Sequence, residues 1–265
     1  MQIKVLSLQC PALLLALLIS SGSLAQTTGS SSAARPGNES SVSVSATPPP
    51  RPPVKLHAAW DKLLRKHVGA DGRVNYKGFK TDKAALDAYL KSLADNLPAD
   101  SWGRAEKMAY WINAYNAFTI DLVTDHYPLK SIMDLDGGKT WDLKRIELGG
   151  KKYSLNQIEN DILRPVFKDS RIHFALNCAA RSCPPLMNRA FSADNLETML
   201  EQRTRRFVNN PKYNSIAAGK ATVSRIFEWY AADFGDLRAF LYRYTKVKLE
   251  AGAIGFAEYD WNLNE

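Results

Sequence analysis

A long apolar stretch near the middle of the chain restricts the fold more than any other part of the sequence. It covers about residues 104–127, includes the run AYWINAYNAFTIDLV, and is followed by Pro128, a residue that ends helices. Apolar side chains such as Trp111, Phe118 and Val123 occur on every side of a helix drawn through it. A helix that is apolar all round is usually buried at the centre of a domain. We therefore predict one central helix with the rest of the domain packed around it.

Shorter elements are predicted on both sides of this helix. Ser154 and Gln157 have the spacing of a capping box, which predicts a helix ending at Pro165. The pair Gly149-Gly150 is typical of a hairpin turn. Periodicity adds helices over 84–93, 195–208, 226–234 and 237–244, hairpin strands within 141–148 and 151–154, and an alternating strand over 171–177.

Together these elements predict a helix-rich α+β single domain with a small, mostly antiparallel sheet and a buried central helix. Papain-like and transglutaminase-like folds also combine a buried helix with a small sheet, so this layout is similar to theirs. A likeness of layout does not by itself assign a function.

The sequence of the first 53 residues predicts a targeting segment followed by a linker. Residues 1–25 combine Lys4, the apolar core PALLLALLIS and a small residue at Ala25, the pattern of a cleavable signal peptide. Residues 26–53 are rich in Ser, Thr, Gly and Pro, which predicts a disordered linker. No later segment is long and apolar enough to cross a membrane. We therefore expect a periplasmic or secreted protein with its folded domain over residues 54–265 and no transmembrane segment in the mature chain.

The chain is basic, with a formal net charge of +8, but the basic residues are scattered. The small cluster of Arg203, Arg205 and Arg206 is typical of a solvated helix face. No nucleic-acid-binding motif accompanies it, and export would separate the protein from nucleic acid, so we expect no such partner. Anionic or peptide-like material of the cell envelope remains a candidate ligand, and we expect no cofactor.

Four stretches resemble an uncharacterised family, the domain of unknown function 547 (DUF547). They are YWINAYNAFTI, SLNQIENDILRP, RIHFALNCAARSCPPL and YDWNLNE, which occur in the family's order and extend over most of residues 60–265. The resemblance implies no activity, since none is assigned to the family, but its members occur behind bacterial signal peptides. The family often has a histidine where this chain has Asn160, whereas Glu159 and Arg164 are retained.

The segment from His173 to Cys183 contains the parts of a thiol nucleophile. A free cysteine is only slightly ionised at neutral pH, and a histidine base with an orienting carboxylate or amide raises its reactivity. We predict Cys178 as the nucleophile and His173 as its base, with Cys183 as the alternative sulfur. The candidate orienting groups are Glu159, Asn113 and Asn116. If residues 171–177 form a strand, His173 and Cys178 point to opposite faces, so their contact would require a bulge or turn.

A structural interpretation competes with this one. Export would permit a disulfide between Cys178 and Cys183, which would fix a short loop in a non-catalytic binding or scaffolding domain. Asn113 and Asn116 share one face of the central helix, where they either hold loop backbone or line a binding site. Arg164 and Ser182 are further candidate binding residues. The cysteine spacing differs from that of common zinc sites, so no metal site is expected.

Overall fold

The computed structural model describes residues 55–245, 247 and 252–265. The predicted signal peptide at 1–25 and linker at 26–53 lie outside the described residues. Among the described residues, no helix has the length and apolar character needed to span a bilayer. The α-helices are α1 Ala58–His67, α2 Tyr76–Thr81, α3 Lys83–Asp95, α4 Arg104–Asp125, α5 Leu196–Val208, α6 Ile226–Trp229, α7 Ala231–Phe234 and α8 Leu237–Tyr244.

The predicted central helix is α4, and it is buried on all sides. Its fully buried residues include Ile112, Ala114 and Val123, and it packs against α2, α3 and the π-helix Gln157–Phe167. The Tyr110 hydroxyl donates to the Leu93 carbonyl at 2.7 Å, which ties α4 to the end of α3. The apolar character of α4 on every side is therefore explained by the elements around it.

Two small sheets accompany the helices. Strands β1 Ile146–Leu148 and β2 Lys151–Tyr153 form the predicted antiparallel hairpin, in which Gly149 and Gly150 both have positive φ. The second sheet has the order β3 Ser215–Ala217, β4 Lys220–Val223 and β5 Ile254–Phe256. Its first pair is antiparallel and its second is parallel. The helix-rich α+β prediction is confirmed, with two sheets in place of one.

The helix that starts after Ser154 differs in part from its prediction. The predicted capping box is present, since the Ser154 amide donates to the Gln157 side chain at 3.2 Å and the Gln157 amide to Ser154 Oγ at 3.1 Å. The helix continues through Pro165 as the π-helix Gln157–Phe167. The Arg104 guanidinium donates to the carbonyls of its last turn, and these bonds satisfy groups that would otherwise have no partner.

The predicted strand over residues 171–177 is wrong. The chain there forms a 3₁₀ helix, Ser170–Phe174, capped by Asp169, whose Oδ1 accepts from the Arg171 amide at 3.0 Å. Residues 172–177 are all buried, whereas a strand with one solvated face would alternate. The reason is that the chain passes here between two apolar clusters, with Phe174 in one and Ala175 in the other. The expectation from strand parity for His173 and Cys178 therefore does not apply.

Candidate active site

The segment from Cys178 to Cys183, the thiol loop, is a tight loop held by its surroundings. Ala179 has a φ of 65°, a conformation that costs a residue with a β-carbon about 1–2 kcal/mol. The Cys183 amide donates to the Ala180 carbonyl at 3.1 Å, and Asn177 Nδ2 donates to the Pro184 carbonyl at 2.9 Å across the base of the loop. Such strain persists only where the neighbouring structure enforces it.

Hydrogen bonds to the segment 260–264 help to hold the loop in this conformation. The Arg181 amide donates to the Asn262 carbonyl at 2.8 Å, and the Asn264 amide donates to the Ala179 carbonyl at 3.1 Å. Ser182, predicted as a binding residue, accepts at Oγ from the Asp260 amide at 2.8 Å and also donates its own amide to the Asp260 carbonyl. The hydroxyl of Ser182 is thus engaged in holding the loop.

Both cysteines are free thiols in the structure, and they differ in exposure. Cys178 is partly exposed, whereas Cys183 is 4% exposed. The Cys178 amide donates to Cys183 Sγ at 2.8 Å, and the Tyr259 hydroxyl lies 3.2 Å from Cys178 Sγ. A hydrogen bond from the Cys183 thiol, helped by Tyr259 and the Ala180 amide, lowers the pKa of Cys178 against the opposing effect of burial. Burial and the neighbouring Cys178 raise the pKa of Cys183. Cys178 is therefore the sulfur that ionises first.

His173 lies between two carboxylates and not beside a sulfur. Its Nε2 is 2.8 Å from Asp233 Oδ2, and its Nδ1 is 3.6 Å from Glu159 Oε1. The ring stacks on Tyr230 with centroids 3.9 Å apart, and the side chain is 1% exposed. Burial alone would lower the pKa of His173, but the two carboxylates outweigh it and raise that pKa. The two carboxylates thus favour the protonated imidazole.

Arg164 completes this cluster. It donates to both carboxylate oxygens of Asp233, at 2.6 and 2.9 Å, and its guanidinium lies 5.1 Å from the centre of the Tyr230 ring. Asn160 accepts from it at 2.8 Å. Burial would raise the pKa of Asp233, yet the bonds from His173 and Arg164 hold it well below its usual range. We call Glu159, Arg164, His173, Tyr230 and Asp233 the charged cluster.

The thiol loop and the charged cluster adjoin the same buried region. The hydroxyl of Tyr115 on α4 has a pKa raised well above its usual value, first by burial and then by the negative charges of Glu159 and Cys178. The structure therefore pairs His173 with Glu159 and Cys178 with Cys183, and negative charges from both pairs act on Tyr115. Both His173 nitrogens face carboxylates, so the predicted arrangement of His173 as a base bonded to Cys178 is not the geometry observed.

Asn113 and Asn116 hold backbone. Asn113 donates to the Phe191 carbonyl at 2.8 Å and accepts from the Phe191 amide at 3.0 Å. Asn116 donates to the Ala175 carbonyl at 2.9 Å and accepts from the Asn177 amide at 2.9 Å. Both amides are buried, and each is occupied on its donor and acceptor side. They position the segments on either side of the thiol loop, and neither serves as an orienting group for His173.

Sequence reasoning missed three residues of this region: Asp233, Tyr230 and Tyr259. Asp233 lies 60 residues from His173 and Tyr259 lies 81 residues from Cys178, so no spacing rule connects them. Tyr259 does occur in the stretch YDWNLNE that contributes to the family resemblance. The family resemblance of that stretch is the feature of the sequence that could have pointed to Tyr259.

A row of aromatic rings extends from Tyr259 toward solvent. Tyr259 lies 4.7 Å from Trp229 and 4.6 Å from Trp261, measured between ring centroids, and Trp141 lies 5.7 Å from Trp261. Trp229 is 40% exposed. Partly exposed aromatic side chains beside a reactive group offer a large contact area for a ligand.

Comparison with known proteins gives one match. A family model described as "Protein of unknown function, DUF547" matches residues 99–208, which include α4, the π-helix and the thiol loop. Asp233 and Tyr259 lie outside the matched residues. The comparisons with curated proteins and with solved structures found no match.

Proposed function

We propose a function for this chain from the site itself, because the DUF547 family, whose model matches residues 99–208, has no assigned reaction. We propose a thiol-dependent hydrolase or acyl-transferase in which Cys178 is the nucleophile. The observation that supports this most is the Tyr259 hydroxyl 3.2 Å from the sulfur of the partly exposed residue Cys178. The Cys183 thiol and the Ala180 amide also lower the pKa of Cys178. Donors of this kind favour the thiolate, which is the nucleophilic form.

In this proposal the donors, and not a histidine base, generate the thiolate. The Cys178 thiolate attacks a carbonyl carbon and a carbon–sulfur bond forms. The bond from that carbon to the leaving group breaks, and the leaving group takes a proton from water, which gives a thioester. Water or another nucleophile then releases the acyl group and restores the thiol. Burial and the charge on Cys178 raise the pKa of Tyr259 well above its usual value, so the hydroxyl keeps its proton and remains a donor.

The substrate class follows from the sequence. Residues 1–25 have the pattern of a signal peptide, so we propose that the enzyme acts in the periplasm or outside the cell on peptide-like envelope material. Trp229 and Trp261, next to Tyr259, are the side chains that we expect to contact such a substrate. The second candidate is a non-catalytic envelope-binding domain with a Cys178–Cys183 disulfide, favoured by the contact between the two cysteines.

The first test measures the thiolate. The rate of Cys178 alkylation by iodoacetamide is followed against pH by mass spectrometry. A hydrogen bond to a charged group contributes roughly 1.5–3 kcal/mol, so Tyr259→Phe should raise the pKa of Cys178 by about 1–2 units. The control is Tyr110→Phe, which removes a remote hydroxyl bonded to the Leu93 carbonyl. Equal alkylation profiles for Tyr259→Phe and wild type would refute the role of Tyr259.

The second test measures acyl transfer. The reduced protein is mixed with p-nitrophenyl acetate, and we expect a burst of nitrophenol with an acetyl group on Cys178. Cys178→Ser should lose both the burst and the adduct. Acetylation that does not map to Cys178, or an active form in which both cysteines are already oxidised, would exclude the proposed reaction and favour the binding domain.

A further inference from the structure

We propose that Cys178 and Cys183 form a peroxide-responsive pair, in which Cys178 is oxidised first and Cys183 converts it to a disulfide. The nucleophile of the proposed enzyme would then be reversibly switched off. The inference shares the reactive Cys178 with the proposed function but requires no acyl-transfer activity.

The first support is the position of the two sulfurs. Cys183 Sγ accepts from the Cys178 amide at 2.8 Å, so the buried sulfur lies against the backbone of the reactive cysteine. Asn177 and Pro184, which flank the two cysteines, are joined at 2.9 Å across the base of the loop. The closed base of the loop holds the two cysteines close together in space, as a disulfide requires.

The second support is the difference between the cysteines. Cys178 is a partly exposed residue, whereas Cys183 is 4% exposed. The pKa of Cys178 is lowered and that of Cys183 is raised. A cysteine with a lowered pKa in a partly exposed residue, beside a buried thiol, is the arrangement expected of a peroxide-sensitive cysteine with its resolving partner.

The oxidant in this proposal is a hydroperoxide. The Cys178 thiolate attacks the terminal oxygen of the hydroperoxide, the sulfur–oxygen bond forms, and the oxygen–oxygen bond breaks to release an alcohol after protonation. The protonated product is a sulfenic acid on Cys178. Cys183 then attacks that sulfur, the disulfide forms, and the hydroxide leaves as water with the proton of Cys183. Two thiols are oxidised and one hydroperoxide is reduced.

The experiment uses the full chain with Cys10→Ser, because the sequence has three cysteines and this change leaves only the pair. The reduced protein is treated with stoichiometric hydrogen peroxide and analysed by intact mass and peptide mapping. We expect loss of two hydrogens, a disulfide-linked Cys178–Cys183 peptide, and recovery of the thiols with dithiothreitol.

Three single variants assign the order of oxidation. In Cys183→Ser, and in Cys183→Ala as a second replacement of the buried thiol, Cys178 should accumulate a sulfenic acid that dimedone traps. In Cys178→Ser, Cys183 should react with peroxide at least about tenfold more slowly than Cys178 does in wild type. Equal rates for the two cysteines, or wild type that gains oxygen atoms without forming the disulfide, would overturn the proposal.

The acetylation burst separates this inference from the proposed function. A reversible disulfide in a protein that gives no acetylation burst would support the redox pair and refute the acyl-transfer proposal. A burst in a protein that forms no disulfide would support acyl transfer and refute the redox pair. If both hold, the oxidised protein should show no burst until dithiothreitol is added.

Discussion

Replacing Asp233 with Asn should destabilise the domain more than its partial exposure suggests. The side chain is 25% exposed, yet it accepts two bonds from Arg164, at 2.6 and 2.9 Å, and one from His173 at 2.8 Å. An amide of the same shape keeps one acceptor but loses the charge. It leaves Arg164 without its bidentate anion and His173 with Glu159 as its remaining carboxylate. Removing one partner from a buried ion pair costs about 3–5 kcal/mol. With a discount for exposure, we expect a loss of roughly 2–4 kcal/mol.

The loss of stability should also depend on pH, in a direction set by the pKa shifts of His173 and Asp233. The pKa of His173 is raised above 6.5, so its contribution is complete below pH 6.5 and is lost as the pH rises through the folded value. The pKa of Asp233 is lowered from 3.8, so its contribution is complete above that value and is lost as the pH falls through the folded one. The Asp233–His173 contribution is therefore largest between about pH 4 and 6.5.

The assay is urea unfolding at pH 5.5 and at pH 9, with wild type, Asp233→Asn and Asp95→Asn. Asp95 pairs with Lys91 on the exposed face of α3, where loss of the pair should cost less than about 1 kcal/mol. We expect Asp233→Asn to cost several times more than Asp95→Asn at pH 5.5, and clearly less at pH 9 than at pH 5.5. Equal costs for the two variants, or a cost for Asp233→Asn that is the same at both pH values, would show that the charged cluster does not act as described.

Two further predictions concern stability, and both are measured by urea unfolding. Gly72 has a φ of 85° and a β-carbon there would overlap the ring of Pro185, so Gly72→Ala should cost roughly 2–5 kcal/mol. Gly150→Ala, with a φ of 73° and open space around it, should cost only about 1–2 kcal/mol, and a larger cost than for Gly72→Ala would contradict the steric argument. Asn113→Ala leaves the backbone amide and carbonyl of Phe191 without their partner, which should cost roughly 2–4 kcal/mol. A cost below about 1 kcal/mol would mean that other groups satisfy that backbone.

The elements that could be predicted are those whose causes lie in neighbouring residues. The all-round apolar composition of α4 gave its place at the centre, and the capping box of Ser154 marked the start of the π-helix. The glycine pair placed the hairpin, and α8 has the predicted bounds Leu237–Tyr244. Each leaves a pattern in a short continuous stretch of chain, which the sequence records directly.

The parts that could not be predicted depend on distant residues. Alternation over residues 171–177 indicated a strand, but burial against two apolar clusters and the Asp169 cap produce a 3₁₀ helix. The composition of the segment identified the cysteines and His173 as a group. It could not show that Asp233, far along the chain, bonds to Nε2 of the imidazole, because no local pattern encodes that contact.

The contacts that frame the thiol loop also have a kinetic consequence. Asn177 bonds to Asn116 across 61 residues and to Asn264 across 87, and Tyr76 bonds to Asn264 across 188. Contacts of such high sequence separation slow folding, because the loops that they close carry a large entropic cost. Helices α3 and α4 are local structures that can form early. The reactive loop should therefore acquire its geometry in the last folding step, so that a partly folded chain carries both thiols without the environment that distinguishes them.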